Sequence, residues 1–208
     1  MASIVARVQL LLIRHALPLR SAPGEGADPE LSDVGLEQAL RLPKALGRHP
    51  IARVLSSPQR RAQQTAAPVA DTLGVAVEID DRLAEYDRDL AHYVPIEQIR
   101  EEFPDEWDRL ARGHLPSGVD EDAFVARVFA AIDDVVADGD HEDTVAMFSH
   151  GGVINVILHR ILATEKLLLF PIDYGSVTRL RYSRNGQFTV AEVNNTEHVW
   201  DLLPRNAR

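Results

Sequence analysis

The sequence contains no cysteine, and it shows neither a long apolar run nor an excess of basic residues. Without cysteine the chain forms no disulfide and no thiolate metal site, which fits a reducing compartment. The apolar stretch over residues 8–13 is too short to span a membrane, and no cleavage pattern of small residues follows it. We therefore expect a cytoplasmic protein in which this stretch forms the first strand.

The formal net charge is −10, from 32 acidic side chains against 22 lysines and arginines. Nucleic-acid binding relies on basic surfaces that neutralise phosphates, so such a partner is not expected. A phosphate site in this chain must be a small positive region, which makes a local group of arginines informative. The sequence has neither a His-Glu-x-x-His zinc motif nor a Gly-x-Ser-x-Gly motif around Ser149. No metal and no cofactor are expected.

The chain has 208 residues, 45% of them hydrophobic and 26% charged, which fits one α/β domain with a sizeable core. No repeat, low-complexity tract or linker divides it. Strand-like and helix-like stretches alternate, and the last two strands flank Asn185-Gly186, a typical hairpin turn. We expect an α/β fold, namely a three-layer sandwich with a mostly parallel central sheet, an antiparallel hairpin at the C-terminal end and a small helical cap.

The apolar periodicity predicts the bounds of these elements. Pro43 is expected to kink or shorten the first helix. Acidic residues mixed with aromatics and prolines place the cap insertion at about residues 81–118 of a single domain covering 1–208. The predicted strands are 8–13, 51–55, 75–79, 144–149, 176–182 and 187–193, and the predicted helices are 32–47, 59–73, 96–103, 105–111, 120–137 and 151–163.

Basic side chains follow three of the predicted strands. Arg14 and His15 end the first apolar run, and His150 ends another, before two glycines and an apolar helix. Arg60 and Arg61 follow the strand between them. Ligands of open α/β sheets lie beyond the carboxyl ends of the strands, and the amides that open a helix can face an anion. The pattern predicts an anion site with a histidine nucleophile or base, and it leaves the choice between Arg60 and Arg61 open.

These stretches, with two others, resemble the histidine phosphatase superfamily, which includes the cofactor-dependent phosphoglycerate mutases. The resemblance covers most of the chain, and its motifs stand in the family's order. The matching motifs are Ile13-Arg14-His15-Ala16, Leu31-Ser32-Asp33-Val34-Gly35-Leu36-Glu37-Gln38-Ala39, Ser56-Ser57-Pro58-Gln59-Arg60-Arg61-Ala62-Gln63-Gln64-Thr65, Leu83-Ala84-Glu85 and Ser149-His150-Gly151-Gly152-Val153.

The resemblance implies a metal-independent phosphomonoester hydrolase that acts on a small phosphorylated substrate through a phosphohistidine intermediate. A neutral histidine can attack phosphorus, provided that a fixed acceptor such as a backbone carbonyl holds its other nitrogen. Arginines offer paired donors to the transferring oxygens. The implied catalytic residues are Arg14, His15, Arg61, Glu85 and His150, and the implied phosphate-binding residues are Arg14, Arg61, His150 and Gly151.

Glu85 is expected to protonate the leaving oxygen and later to deprotonate water, which requires a raised pKa. Asp87 and Asp89 remain alternatives for this role. The chain departs from the family pattern over residues 16–20, where Ala16-Leu17-Pro18-Leu19-Arg20 replaces a glycine, a polar residue and an asparagine. Arg20 is expected to supply part of the lost phosphate contacts.

Two other functions stay open: a phosphoryl transfer of the phosphoglycerate mutase type, and a phospho-ligand binding module without catalysis. The segment between Glu85 and His150 is shorter than in mutases that resemble the glycolytic enzymes, which favours a hydrolase. We expect a small phosphorylated substrate as partner, with no nucleic acid and no membrane. The sequence also allows a homodimer.

Overall fold

The structure, a computed structural model, describes residues 7–21, 26–89, 93–94, 96–139, 143–183 and 187–206. Strands and helices alternate through these residues. The strands are β1 (Arg7–Arg14), β2 (Ile51–Ser56), β3 (Val77–Ile79), β4 (Thr144–Ser149), β5 (Val177–Ser183) and β6 (Phe188–Asn195). The helices are α1 (Asp33–Leu46), α2 (Arg60–Leu73), α3 (Ile96–Glu102), α4 (Pro104–Ala111), α5 (Glu121–Asp138) and α6 (Gly151–Leu162).

The strands form one sheet in the order β3-β2-β4-β1-β5-β6. β1, β2, β3 and β4 are parallel to their neighbours in this group, whereas β5 runs antiparallel to β1 and β6 antiparallel to β5. The mostly parallel sheet with antiparallel strands at one end is therefore confirmed. The predicted turn at Asn185-Gly186 lies outside the described residues.

The alternating side chains of β1 show how the sheet is buried on both faces. Leu10 and Leu12 belong to the core that includes the apolar faces of α5 and α6. Leu11 and Ile13 belong to the core on the opposite face, which includes residues of α1 and α2. Because both faces are covered by helices, the strand is a continuous apolar run rather than an alternating one. The predicted three-layer arrangement is confirmed.

Two helix ends show the expected capping chemistry. The side chain of Ser32 caps α1 by accepting from the Gly35 amide, and α2 stops where Gly74 takes a left-handed conformation at φ 68°. Pro43, which is expected to kink or shorten the first helix, does not shorten it, because α1 continues through this residue to Leu46. Crossing a membrane would need a longer and more apolar helix than any in the described part of the chain.

Candidate active site

The two histidines predicted for the site meet because β1 and β4 are parallel neighbours. Arg14 pairs in register with Ser149, and the His15 amide donates to the Ser149 carbonyl at 2.9 Å. The rings of His15 and His150 lie 5.1 Å apart between centroids. The helices that follow the two strands, α1 and α6, pack on opposite faces of the sheet, so both rings lie in the crevice where the connections diverge.

His15 is held as a neutral imidazole with one ring nitrogen committed. Its Nδ1 lies 2.8 Å from the carbonyl oxygen of Ala16, a contact that assigns the proton to Nδ1 and leaves the lone pair on Nε2. Burial lowers the pKa of His15 well below its usual value, and the charges of Arg61 and Arg14 lower it further. A neutral ring with a bare Nε2 is the form that a nucleophile requires.

Two of the recognised motifs hold the backbone just after His15. The Ala16 amide donates to Thr65 Oγ1 at 2.9 Å, and the Leu17 amide donates to Gln38 Oε1 at 2.8 Å. The Leu17 carbonyl accepts from both the amide and the hydroxyl of Ser32, each at 3.0 Å. These contacts fix the Ala16 carbonyl and, through it, the orientation of the His15 ring.

Arg14 lies between the segment before β5 and the start of α6. Its Nη1 donates to the Ile172 carbonyl at 2.5 Å, and its Cζ lies 3.8 Å from the centre of the Tyr174 ring. A Cβ placed on Gly151 would lie 3.7 Å from Arg14 Nε, which shows how close the helix start comes to the guanidinium. The amide end of α6 and a guanidinium thus converge beside His15.

The structure brings Arg61, rather than Arg60, into this cluster. Arg60 is exposed and pairs with Glu30, whereas Arg61 is fully buried. Arg61 Nη2 donates to both carboxylate oxygens of Asp87 at 2.8 Å, and Nη1 donates to the Ala27 carbonyl at 2.8 Å. Its Nε is buried and has no hydrogen-bond partner within the described part of the chain. Burial alone would lower the pKa of Arg61, but the carboxylate of Asp87 and the Tyr93 hydroxyl raise it, so the side chain stays charged.

His150 lies beside His15 and has one ring nitrogen without a hydrogen bond to any described residue. Its Nε2 lies 2.7 Å from Ser57 Oγ, while its Nδ1 is buried and makes no hydrogen bond to any described residue. Burial lowers the pKa of His150 well below its usual value, and the charges of Arg61, His15 and Arg14 add to this effect. The second histidine is therefore also neutral in the free site.

Glu85 is a buried carboxyl that titrates near neutral pH. Its Oε2 accepts from the Gly152 amide at 2.8 Å and its Oε1 from the Tyr86 amide at 3.1 Å. Burial, followed by the negative charge of Asp87, raises the pKa of Glu85 to about 7. A Cβ on Gly152 would lie 2.4 Å from Glu85 Oε1, so glycine is required at this position for the carboxyl to reach the helix start.

The two alternative carboxyls are placed differently from Glu85. Asp87 is bound by Arg61 and also accepts from Gln59 Nε2 at 2.9 Å, so both of its oxygens are committed inside the protein. Asp89 is exposed. Gln59 in turn accepts from the Glu85 amide at 2.7 Å, which ties the backbone of the acid to the start of α2.

Arg20 is not brought to the cluster. Its guanidinium donates to Glu102 at 2.6 and 2.7 Å and to Gln98 at 2.6 Å, on α3. It is absent from the described lining of the cavity that holds Arg14, His15 and Arg61. The expected contact between Arg20 and phosphate is therefore not formed by this arrangement, because the Glu102 carboxylate already pairs with the Arg20 guanidinium.

Three residues in contact with the cluster had no role in the sequence-based account. Ser57 contacts His150, Tyr174 packs on both Arg14 and His15, and Tyr93 lies 4.8 Å below the guanidinium carbon of Arg61. The position of Ser57 directly after β2 was a usable signal, since β2 adjoins β4. The tyrosines gave no signal, because they come from segments that are distant in sequence.

Arg14, His15, Arg61 and Glu85 line part of a cavity of about 950 Å³. Together with His150, the cluster offers a neutral nucleophilic nitrogen, two guanidinium groups, a second imidazole and a carboxyl with a pKa near 7. These groups can bind a tetrahedral anion, form a bond from the imidazole nitrogen to its central atom and give a proton to a leaving oxygen. Among the described residues, no group of three or more His, Asp or Glu side chains could hold a metal ion.

The sequence matches the family profile of the histidine phosphatase superfamily (branch 1) over residues 10–196. The putative phosphoserine phosphatase 2 of Hydrogenobacter thermophilus is 25% identical over 203 residues, which cover 93% of this chain and 98% of that protein. The probable phosphoglycerate mutase GpmB of Yersinia pestis is 26% identical over 163 residues, covering 74% of this chain and 75% of that protein.

The structure is similar to a mycobacterial glucosyl-3-phosphoglycerate phosphatase solved with VO3, with a TM-score of 0.74 and 25% identity over 91% of this chain and 99% of that chain. The family match spans the elements that carry every residue of the cluster. The chain therefore belongs to the histidine phosphatase superfamily, whose members act on phosphorylated substrates through a phosphohistidine intermediate.

Proposed function

We propose that the protein is a metal-independent phosphomonoester hydrolase in which His15 is the nucleophile. In the first step His15 Nε2 forms a bond to phosphorus as the bond to the leaving oxygen breaks, and Glu85 gives its proton to that oxygen. In the second step a water oxygen bonds to phosphorus, the bond to Nε2 breaks, and Glu85 takes a proton from the water. The enzyme returns to its starting state, with alcohol and phosphate as products.

The observation that carries this proposal is the state of His15. The Ala16 carbonyl holds Nδ1 at 2.8 Å, and burial together with two arginine charges lowers the pKa of the ring. These arginines would repel a protonated imidazole, whereas they attract the phosphate that a neutral imidazole attacks.

Arg14, Arg61, His150 and Gly151 are the proposed phosphate-binding residues. Arg61 Nε and His150 Nδ1 are buried donor positions without a partner in the described part of the chain, and buried polar groups of this kind are normally satisfied. Phosphoryl oxygens between them would satisfy both. We leave Arg20 out of this set because it pairs with Glu102.

Glu85 is the proposed acid and base. A carboxyl with a pKa of about 7 is present in both protonation states at neutral pH, and each half-reaction needs one of them. A bound phosphate adds negative charge nearby and raises the pKa further, which keeps the proton available for the leaving oxygen. Asp87 supports this role through its own charge, which is the second cause of the raised pKa.

Hydrolysis is the proposed outcome rather than transfer to a second substrate hydroxyl. Both reactions share the phosphohistidine, and they differ in what removes the phosphoryl group. Structures named as phosphatase and as phosphoglycerate mutase both cover more than nine tenths of the chain, so coverage does not separate the two reactions. The support for hydrolysis is the segment between Glu85 and His150, which is shorter than in mutases that resemble the glycolytic enzymes. Release of inorganic phosphate, in preference to isomerised ester, is the product that identifies a hydrolase.

The organisation of the chain is part of the same proposal. We assign residues 1–208 to one domain with a cap insertion at about 81–118, of which 90–92 and 95 lie outside the described residues. The support is that α3 and α4 both contribute side chains to the cavity wall. The cytoplasmic location, the homodimer and the absence of nucleic-acid and membrane partners stay predictions.

The test is a comparison of His15→Ala with His114→Ala, which removes an exposed histidine outside the cavity. His15→Ala should lower kcat for phosphate release by on the order of 10³-fold or more, because the covalent route is lost. His114→Ala should keep wild-type rates. Wild-type activity should also survive exhaustive dialysis against EDTA. Turnover that persists in His15→Ala, or that disappears with EDTA and returns with one divalent ion, would overturn the proposal.

A further inference from the structure

The cavity extends well beyond the catalytic cluster, and its outer walls are apolar. Arg14, His15, Arg61 and Glu85 line only part of a space of about 950 Å³, which is large enough for a drug-sized ligand. A phosphoryl group with a short leaving group would fill only a part of it. The outer walls carry mainly aliphatic and aromatic side chains, notably Ile99, Phe103, Trp107, Leu168, Leu169 and Phe170.

One wall is the apolar face of α4. Phe103, at the start of this helix, and Trp107, one turn later, line the cavity together with Leu110. On the opposite face of the helix the charged side chains of Asp105 and Asp108 are exposed. The helix is therefore amphipathic with its apolar side toward the cavity, although 40% of the Phe103 surface remains exposed.

A second part of the cavity wall, residues 168–172, is held in place by Asn155 and Arg14. Asn155 Oδ1 accepts from the amides of Leu169 and Phe170 at 3.0 and 2.8 Å, and its Nδ2 donates to the Phe170 carbonyl at 3.0 Å. Arg14 donates to the Ile172 carbonyl at 2.5 Å. The wall is thus preformed by hydrogen bonds of its backbone, which leaves its apolar side chains free to contact a ligand.

The acidic residues in the walls are already paired within the protein. Asp87 binds Arg61, Glu106 accepts from the amide of Ser117 at 2.9 Å and from its hydroxyl, and Asp173 pairs with Arg205 at 2.9 Å. Among the described lining residues, the cations are Arg14, Arg61 and Arg100. The first two belong to the phosphate end, and Arg100 is exposed.

We propose that the enzyme takes phosphomonoesters whose leaving group carries an uncharged apolar chain or ring, held against the apolar side chains of α4 and of residues 168–172. This inference rests on the proposed function, since the phosphate must occupy the His15 end. A large, partly exposed apolar surface inside a cavity is typical of a binding site for an apolar group. A compact ester with a carboxylate or an ammonium group would leave these walls in contact with water and would find few charged partners there.

The test uses unbranched alkyl phosphates from ethyl to octyl, whose leaving alcohols have the same reactivity, with phosphoserine and 3-phosphoglycerate as compact charged esters. Burial of each methylene should raise kcat/KM by about twofold to fourfold until the chain passes the cavity mouth. The hexyl ester should exceed both charged esters. Binding of the matching alkylphosphonates, which are not hydrolysed, should tighten in parallel.

Substitutions in the cavity wall test which residues cause the dependence on chain length. Leu169→Ser and Phe103→Ser replace wall residues that are 48% and 40% exposed, so the fold should tolerate them, and each should flatten the dependence on chain length. Leu162→Ser replaces a leucine of matched exposure (45%) outside the cavity and should keep the wild-type dependence.

The failures of the two proposals are distinguishable. Flat alkyl series in both hydrolysis and phosphonate binding would overturn the apolar-substrate inference, while His15-dependent hydrolysis of any ester would leave the proposed function intact. A preference for phosphoserine or 3-phosphoglycerate that is lost in Arg100→Ala would also overturn the inference, because the outer cavity would then serve a second anionic group. Tighter binding of longer phosphonates without hydrolysis of any ester would contradict the hydrolase alone.

Discussion

At the scale of single residues, the contact between Ser57 and His150 bears on which nitrogen of that ring carries the proton. Ser57 Oγ accepts from the Gln59 amide at 3.3 Å, and the only acceptor for its own proton among the described residues is His150 Nε2. His150 is neutral, because burial and the neighbouring positive charges lower its pKa. A hydroxyl that donates to Nε2 leaves the proton on Nδ1, which can then donate to a phosphoryl oxygen without a charged ring.

Ser57→Ala should therefore lower kcat by roughly tenfold, the worth of about one hydrogen bond. The loss should depend on pH and become smaller below the usual titration range of histidine, since a protonated ring donates from both nitrogens. The measurement is the pH profile of kcat for the variant and the wild type. Ser56→Ala removes a buried hydroxyl that bonds to the Ser57 carbonyl, and it is the matched control. A uniform loss at every pH would contradict the tautomer argument.

Glu85→Gln tests the shared acid and base through the leaving group. The variant keeps the size of the side chain but cannot give a proton to an alkoxide, so the burst of alcohol from alkyl esters should nearly vanish. The burst from p-nitrophenyl phosphate should change little, because nitrophenolate leaves without a proton. Phosphoenzyme hydrolysis should slow for both esters, since the base is lost too.

The same carboxyl predicts the pH dependence of the wild type. The pKa of Glu85 is about 7 in the free site and higher with phosphate bound, so the proton needed in the first step is lost as pH rises above about 7. The base needed in the second step is lost as pH falls through it. Single-turnover rates should show opposite slopes for the two steps. Equal losses for both esters in Glu85→Gln would contradict the role, and leaving-group dependence in Asp89→Asn would assign it to another carboxyl.

At the scale of elements, α1 controls the loop that follows β1. The motif around Gly35 brings the helix so close that a Cβ on this residue would lie 2.0 Å from the Leu17 carbonyl oxygen. The same helix holds the Leu17 amide through Gln38. The glycine therefore serves close backbone contact rather than an unusual conformation.

Gly35→Ala should destabilise the protein by about 1–3 kcal/mol, although alanine is otherwise the better helix former. It should also lower kcat, because a shifted Leu17 moves the Ala16 carbonyl that orients His15. Thermal unfolding and steady-state kinetics measure the two effects. Gly47→Ala, at the other end of α1 with an ordinary φ of −61°, should preserve both stability and activity. A stable and fully active Gly35→Ala would contradict the claim that the close contact between α1 and Leu17 orients His15.

Elements set by burial were the most predictable from sequence. β4 lies in the middle of the sheet with every residue buried, and its predicted and observed bounds coincide. β3 lies at the sheet edge, and there the apolar pattern extended too far: Val75 instead donates its amide to Ala70, at the end of α2. An edge strand has less burial to fix its bounds, so its sequence pattern carries less information.

At the scale of the whole molecule, the chain brings three strand ends into one crevice. The meeting of the residues beside these strand ends could be predicted from the sequence. Arg14, His15, Arg61 and His150 stand next to strands whose order the fold dictates. The placement of Arg20 could not be predicted, since its partner Glu102 lies on α3, far along the chain. The pairing of Asp87 with Arg61 was likewise hidden, because it depends on where the segment after β3 crosses the start of α2.

The central claim is that the phosphoryl group rests on His15 during turnover. The most direct measurement mixes the enzyme with p-nitrophenyl phosphate, quenches it in base, and maps the phosphate by mass spectrometry under conditions that preserve phosphorus–nitrogen bonds. We expect one acid-labile, base-stable adduct on His15, absent in His15→Ala and longer-lived in Glu85→Gln. A stoichiometric adduct on any other residue, or sustained turnover with no adduct in Glu85→Gln, would contradict it.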